Sequence, residues 1–530
     1  MPLFQSERVA VIGGGCTGIT SFWALQNSVH DVHLFEASAD LGGRVKTLPF
    51  EHNGNQVDVN TESPTFNAEA SPNLVSLLRY LGITTSQAQL CFGATEGTCN
   101  FQWCGSVLKS ILLRPWALCS LETYRILSDI IWLRYLAVDV LSTKLGACKT
   151  KNVLQSLSAH DYLSGEGYSN NFRNKYLAPM LSMLWSTNAG KFLPQLPVRA
   201  LVQCLCDHQL LKPRQVPPDW RCIKPGTSQL VHTMSQHFPA SKVHLKSRVV
   251  EVIRHGKNQY GVLTSDGQEM FFNHIIFAVN GPETIKILGS HASLQEKDII
   301  QGLGSTRNIS VLHSDPLLMP EIDTPGPSCN YILASDDHHR FSQSIKDPTA
   351  HISSLSYIAN SLESIPEYLF GPVYITLNPF TPPHPSHVQG VWEFADPEPS
   401  ANTLVAQSRL PSIQNKRGLS YAFCWTGRGH LEDAVTAGLR LAIDHLGAKV
   451  PFEVQYHQDP LDAASSLPPR IGLKDNLVRT ILRLISVYLL IFELVLVGLR
   501  ALRNPASRRN SRRIEEEEKT ETASGATETR

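Results

Sequence analysis

The stretch Arg8 to Gly18, reading RVAVIGGGCTG, constrains this chain more than any other. A short apolar run predicts a buried strand, and the glycines then turn it sharply into a helix. Gly13, Gly15 and Gly18 fall at G-x-G-x-x-G spacing. The first allows a tight turn, the second lets a pyrophosphate approach the backbone, and the third lets helix and strand pack closely. Backbone N–H groups at the helix start, with Cys16 and Thr17 among the first residues, join the positive helix end in attracting phosphate. Asp31 to Glu36 reads as the second strand and ends in an acid eighteen residues after Gly18. From that place a carboxylate can accept both ribose hydroxyls of an adenosine. Leu41-Gly42-Gly43-Arg44 then adds a second glycine pair and a fixed cation, which simple nicotinamide dehydrogenases do not need.

Together these residues resemble the amino-terminal signature of the FAD-dependent amine oxidase and phytoene desaturase superfamily. The resemblance implies FAD as the bound dinucleotide, with Gly42, Gly43 and Arg44 along its pyrophosphate and flavin. Val57-Asp58, Phe66-Asn67 and Ser71-Pro72-Asn73-Leu74 narrow the likeness to a branch of FAD/NAD-binding, amine-oxidase-domain proteins. Asn60 and Thr61 replace the usual D-x-G-G, which argues against amine substrates. Trp220-Arg221 to Gly226-Thr227 resembles a segment re-entering the FAD domain, with Pro225 in place of one glycine. By the same resemblance the Val249 backbone meets adenine, and the run Tyr421 to Ala434 is the terminal flavin motif. Glu432 and Asp433 are its cofactor-binding residues, Asp433 serving equally well to anchor the helix end. His430 stands where amine oxidases place an aromatic wall. It is either a general base taking a proton as hydride leaves for the flavin, or a flat polar wall.

At 530 residues the chain exceeds a single core. The expected fold is α/β, a GR-like Rossmann FAD-binding domain interleaved with an α+β substrate domain. Residues 1–90, 220–290 and 405–450 form the first, and 91–219 and 291–404 the second, with 91–219 largely helical. A formal charge of zero gives no bulk attraction for nucleic acid. Eleven cysteines without a C-x-x-C pair read as reduced, buried residues in a cytosol-facing protein. The first apolar run is committed to strand one, so no signal peptide is expected. Twenty histidines show no metal-ligand spacing, and His338-His339 reads as a solvated loop. No metal is expected.

The region Leu121 to Val140 repeats apolar residues at three and four, and Arg125, Asp129 and Arg134 make it a packed helix rather than a span. Ile481 to Leu499 is mostly Leu, Ile and Val. That run predicts membrane attachment through residues 474–503. Arg483 and Glu493 interrupt it, so the helix spans, lies in the headgroup plane, or packs on the protein's own surface. Arg508, Arg509, Arg512 and Arg513 suit anionic headgroups, and 504–530 ends in a charged, Ser/Thr-rich tail expected to be disordered. The chain thus reads as a membrane-associated FAD-dependent oxidoreductase with its catalytic domain facing the cytosol. It would remove hydride from a lipophilic small molecule by C–C desaturation or C–N oxidation. A redox-neutral isomerase or hydratase, and a flavin-binding protein without turnover, are the rival readings. Oligomeric state is left open.

Overall fold

The computed structural model describes residues 6–61, 65–96, 100–104, 115–141, 157–186, 193–211, 218–256, 259–319, 327–333, 353–397, 400–427, 429–456 and 472–503. His338, His339, Arg428 and the tail from 504 lie outside them.

The apolar run before the glycines is the middle strand, Arg8–Ile12, of a five-stranded sheet. Across the sheet the order is Val243–His244, Asp31–Phe35, Arg8–Ile12, His274–Phe277 and Leu419–Tyr421, every pair parallel. Such a sheet is covered on both faces, which is why Val9, Ala10 and Val11 are consecutive and fully buried. One face packs Ile19, Phe22 and Leu25 of the helix Cys16–Leu25 together with Val435, Leu439 and Ala442 of the helix Leu431–Leu446. The other face packs Val252, Tyr260, Val262 and Phe272 of an antiparallel meander, Val249–Arg254, Tyr260–Thr264 and Glu269–Phe272. Three discontinuous segments therefore build the dinucleotide fold.

A seven-stranded mixed sheet carries the remaining bulk. Its order is Val388–Pro397, Ser305–His313, Tyr374–Leu377, Ser353–Ile358, Cys329–Leu333, Phe92–Glu96 and Asn100–Cys104. Two of its strands correct the sequence reading, which made the region after 91 helical. Phe92–Glu96 pairs parallel with Cys329–Leu333, more than 230 residues away. A strand recruited from so far leaves no local hairpin signal. Helices do follow, at Leu121–Leu136, Ala159–Gly165, Ala178–Trp185 and Val198–Asp207. The first buries Ile126, Asp129, Ile130 and Leu133 on one face, as a packed helix should. Both sheets lie in one compact unit, residues Met1–Arg134 and Val138–Pro468.

A second unit includes the helix Leu473–Arg503. Among the described residues no helix is long and apolar enough to cross a membrane. A span through the C-terminal helix is not supported among the described residues. Lys474, Asp475, Arg479 and Arg483 charge its first three turns.

Candidate functional site

The glycine turn performs its separate tasks in space. Gly13 takes φ +111°, and a Cβ there would stand 2.7 Å from the Ala278 carbonyl oxygen. A Cβ at Gly18 would stand only 1.9 Å from the Gly13 carbonyl oxygen, so the helix is pressed onto its own turn. At Gly15 a Cβ would meet nothing within 4 Å. Open space thus lies just before a helix N-terminus whose first N–H groups lack intrahelical partners. That is the space a pyrophosphate needs, and the residues present fit a dinucleotide. Cys16 and Thr17 are buried in the helix start, and burial pushes the Cys16 thiol up to about 12. It stays protonated and is no nucleophile.

The second glycine pair lies directly beside the first. Gly15 and Gly42 form an isolated parallel bridge, and the Gly42 N–H donates to the Gly14 carbonyl at 2.8 Å. Glu36, at the end of the second strand, accepts the Gly14 N–H at 2.7 Å and the Ser38 N–H at 2.7 Å. Its carboxylate is therefore oriented beside the turn, with lone pairs remaining for hydroxyl donors. Arg44 leans away from the glycines. Its guanidinium pairs with the buried Asp396 at 2.5 Å and lies over the Phe394 ring at 5.1 Å, both on the seven-stranded sheet. The fixed cation expected along the cofactor also ties the second glycine turn to the seven-stranded sheet.

The returning motif brings His430, Glu432 and Asp433 to one cavity, which Arg44, Phe66, Leu90, Met183, Leu184, Trp185, His208, Trp220, Ile223 and Thr227 also line. Glu432 accepts the Asn73 N–H at 3.1 Å and the Leu74 N–H at 2.7 Å, in the first turn of the helix Pro72–Tyr80. Asp433 accepts the His430 N–H at 3.0 Å and so caps its own helix. Both carboxylates serve helix ends, which favour negative charge. For Asp433 this is the anchoring role; for Glu432 it is a partner that sequence reasoning did not anticipate. His430 stacks on Trp185 at 6.2 Å between ring centroids and meets His208 edge-on at 5.2 Å. His208 in turn stacks on Trp220 at 5.9 Å, and its Nδ1 lies 3.0 Å from the Cys204 carbonyl. A carbonyl can only accept, so Nδ1 carries the proton.

His208 was missed. It sits one residue beyond the helix Val198–Asp207, and no local pattern distinguishes it from any helix-end histidine. Val249 is in its expected strand with its side chain in the core of the meander. Among the described residues no group of three or more His, Cys, Asp or Glu could hold a metal ion.

Two family models match the chain: an NAD(P)-binding Rossmann-like domain over residues 11–81, and a flavin containing amine oxidoreductase over residues 141–315. No curated protein sequence matches it. Solved structures share the fold at low identity. A putrescine oxidase bound to putrescine aligns at TM-score 0.55 and 12% identity, covering 83% of this chain and 99% of its own. Cyclohexylamine oxidase from Brevibacterium oxydans aligns at TM-score 0.52 and 14% identity, covering 83% and 99%. A fatty acid isomerase from P. acnes that produces CLA aligns at TM-score 0.51 and 11% identity, covering 83% and 98%.

Proposed function

We propose, on the premise that the chain belongs to the FAD-dependent amine oxidase superfamily and is an FAD-dependent oxidoreductase, that it removes hydride from a lipophilic, uncharged small molecule. The observation that carries this reading is the lining of the cavity. Its walls bring Phe66, Leu90, Met183, Leu184, Trp185, Trp220 and Ile223 together with the polar Arg44, Thr65, Asn67, Ser71, Ser186, His208 and Thr227, and its two carboxylates already hold backbone N–H groups. A protonated amine would ask for an available carboxylate. Here the charge of Glu432 and Asp433 is spent on helix ends, while the apolar walls favour a molecule that gains by leaving water.

FAD, when bound, supplies the hydride acceptor. The glycine turn, Glu36 and the Gly42-Gly43 pair would hold its pyrophosphate and adenosine side, and Arg44 would add a positive charge. The chain's own part is to exclude water, fix the substrate against the aromatic walls and take a proton. His430, flanked by Trp185 and His208, is the group we assign to that proton. The fold is shared with oxidases and with an isomerase, so fold alone does not choose the chemistry.

The same reading places the protein at a membrane surface. The helix Leu473–Arg503 exposes Leu473, Leu477, Ile481, Leu484, Tyr488, Ile491 and Val495. They are spaced by three and four, which is one apolar stripe suited to lying in an interface.

The test is anaerobic. Purified yellow protein is mixed with a cell lipid extract and the flavin absorbance is followed. Bleaching, lost in His430→Phe with the FAD still bound, supports hydride removal assisted by His430. A flavin that no extract reduces, in protein that dithionite bleaches normally, defeats the redox reading and favours isomerisation or binding without turnover.

A further inference from the structure

One buried carboxyl outside the expected motifs reaches the cavity wall through a single side chain. Glu363 ends the short helix Ala359–Glu363 and is 5% exposed. Asn60, 2% exposed, donates its backbone N–H to Glu363 Oε1 at 3.3 Å and its side-chain Nδ2 to Glu363 Oε2 at 2.6 Å. The other end of the same amide receives Thr227: Asn60 Oδ1 lies 2.7 Å from the Thr227 N–H and 2.6 Å from the Thr227 hydroxyl. Thr227 lines the cavity.

The orientation of the Asn60 amide follows from chemistry. A backbone N–H can only donate, so the atom facing Thr227 N is the oxygen. The nitrogen then faces Glu363, whose nearest oxygen must accept. The arrangement suits an ionised carboxylate, which accepts at both oxygens. Protonation takes the charge away from both Asn60 donors, and a proton on Oε2 would face an N–H donor across 2.6 Å, so the hold on the amide loosens and it is free to turn or withdraw. Either movement takes Oδ1 from Thr227. The loop before Thr227 has little room to compensate, because a Cβ on Gly226 would stand 2.7 Å from Thr47 Cγ2 and 3.5 Å from Asn60 Oδ1.

We infer that Glu363 is a positioning residue for the cavity, its charge setting the Asn60 amide and through it the Thr227 wall. The inference rests on the proposed function, in which this cavity takes the substrate beside a bound flavin whose spectrum senses the wall. The groups facing Glu363 are few. The Lys224 ammonium donates to the Glu363 backbone carbonyl and favours the charged form, as do the two Asn60 donors. The Cys222 thiol lies close by, donating to the Leu362 carbonyl at 3.1 Å. Against these stands burial, which pushes the Glu363 carboxyl up to about 7. The two forms of the wall therefore exchange near neutral pH.

The experiment follows the visible spectrum of the FAD-loaded full chain from pH 5.5 to 9, alongside difference infrared spectra of the carboxyl stretch. In wild type, a spectral transition near pH 7 should coincide with loss of a protonated carboxyl band, and Glu363→Gln should remove both. Asn60→Ala cuts the link and spares the carboxyl, so the infrared band should titrate while the flavin transition disappears. It also serves if Glu363→Gln does not fold. A flavin transition that persists in either variant, or a wild-type flavin with no transition, overturns the inference. Colourless wild-type protein that takes up no FAD defeats the cofactor reading instead, a distinguishable failure.

Discussion

At the scale of residues, Gly15 and Gly18 look alike in the sequence and are separated by the structure. A Cβ on Gly15 enters open space, and its φ of −74° suits any residue. A Cβ on Gly18 would collide with a carbonyl oxygen that belongs to the turn itself. Gly15→Ala should therefore keep its thermal midpoint and lose FAD, because the methyl fills the space a pyrophosphate needs. Gly18→Ala should lose roughly 1–3 kcal/mol of stability or more from overpacking, with FAD loss following from misfolding. Circular dichroism melts and the flavin-to-protein absorbance ratio check both. Equal destabilisation by the two variants would remove the distinction. The spacing of these glycines was legible because each obeys a local rule. The service of Glu432 was not, since its partners Asn73 and Leu74 are about 360 residues away in the chain.

At the scale of elements, Glu432 fastens the helix Pro72–Tyr80 to the helix Leu431–Leu446, and Thr436 donates to it at 3.0 Å. Glu432→Ala leaves two buried N–H groups unsatisfied. It should cost about 1–3 kcal/mol, read as a lower urea midpoint with an unchanged slope. Glu432→Gln should recover part of that, because an amide oxygen still accepts one N–H. If both variants keep the wild-type midpoint while FAD affinity falls, Glu432 is a cofactor contact and not a fastener. The strands around the glycines were readable as apolar runs. Phe92–Glu96 was not, because a strand pairing with residues 329–333 owes its place to a partner that no window of local sequence contains. The helix Leu473–Arg503 was readable as a helix, and its exposed stripe yields a further prediction. Chain ending at Gly472 should float free of vesicles containing anionic lipid and remain yellow, whereas full-length protein should sediment with them. High salt should weaken but not abolish that binding, since salt screens only the electrostatic part. Complete release by salt, or no sedimentation at all, would eliminate the apolar attachment.

At the scale of the whole molecule, the response to pH sums over groups scattered through both sheets. Burial pushes His33 and His313 down to about 4 and His274 to about 3, from an ordinary value of 6.5. These three are 5%, 0% and 2% exposed, so the folded chain keeps them neutral while the unfolded chain protonates them. Their stabilising contribution is complete above pH 6.5 and is lost as pH falls through the window down to about 4 for His33 and His313 and about 3 for His274. Glu363 works in the opposite sense. Its carboxyl stands at about 7 in the folded chain against an ordinary 4.5, so its contribution is present below 4.5 and lost as pH rises through 7. Between pH 5 and 6 these three histidines give the unfolded chain up to three protons while Glu363 gives the folded chain one extra, and the lowered His244 and His445 add in the same sense as the three. The net difference of about two protons from His33, His274, His313 and Glu363 corresponds to a slope on the order of 2–3 kcal/mol per pH unit at its steepest. Urea unfolding at pH 7, 6 and 5 should show stability falling along that slope. His274→Gln should flatten it by about half, because one titrating group leaves and the hydrogen bond to Ser420 is retained by an amide. Glu363→Gln should steepen it, because the opposing proton is gone. Stability that stays level from pH 7 to 5, or a Glu363→Gln slope no steeper than wild type, would show that the buried histidines and the buried acid do not govern the acid response of this fold.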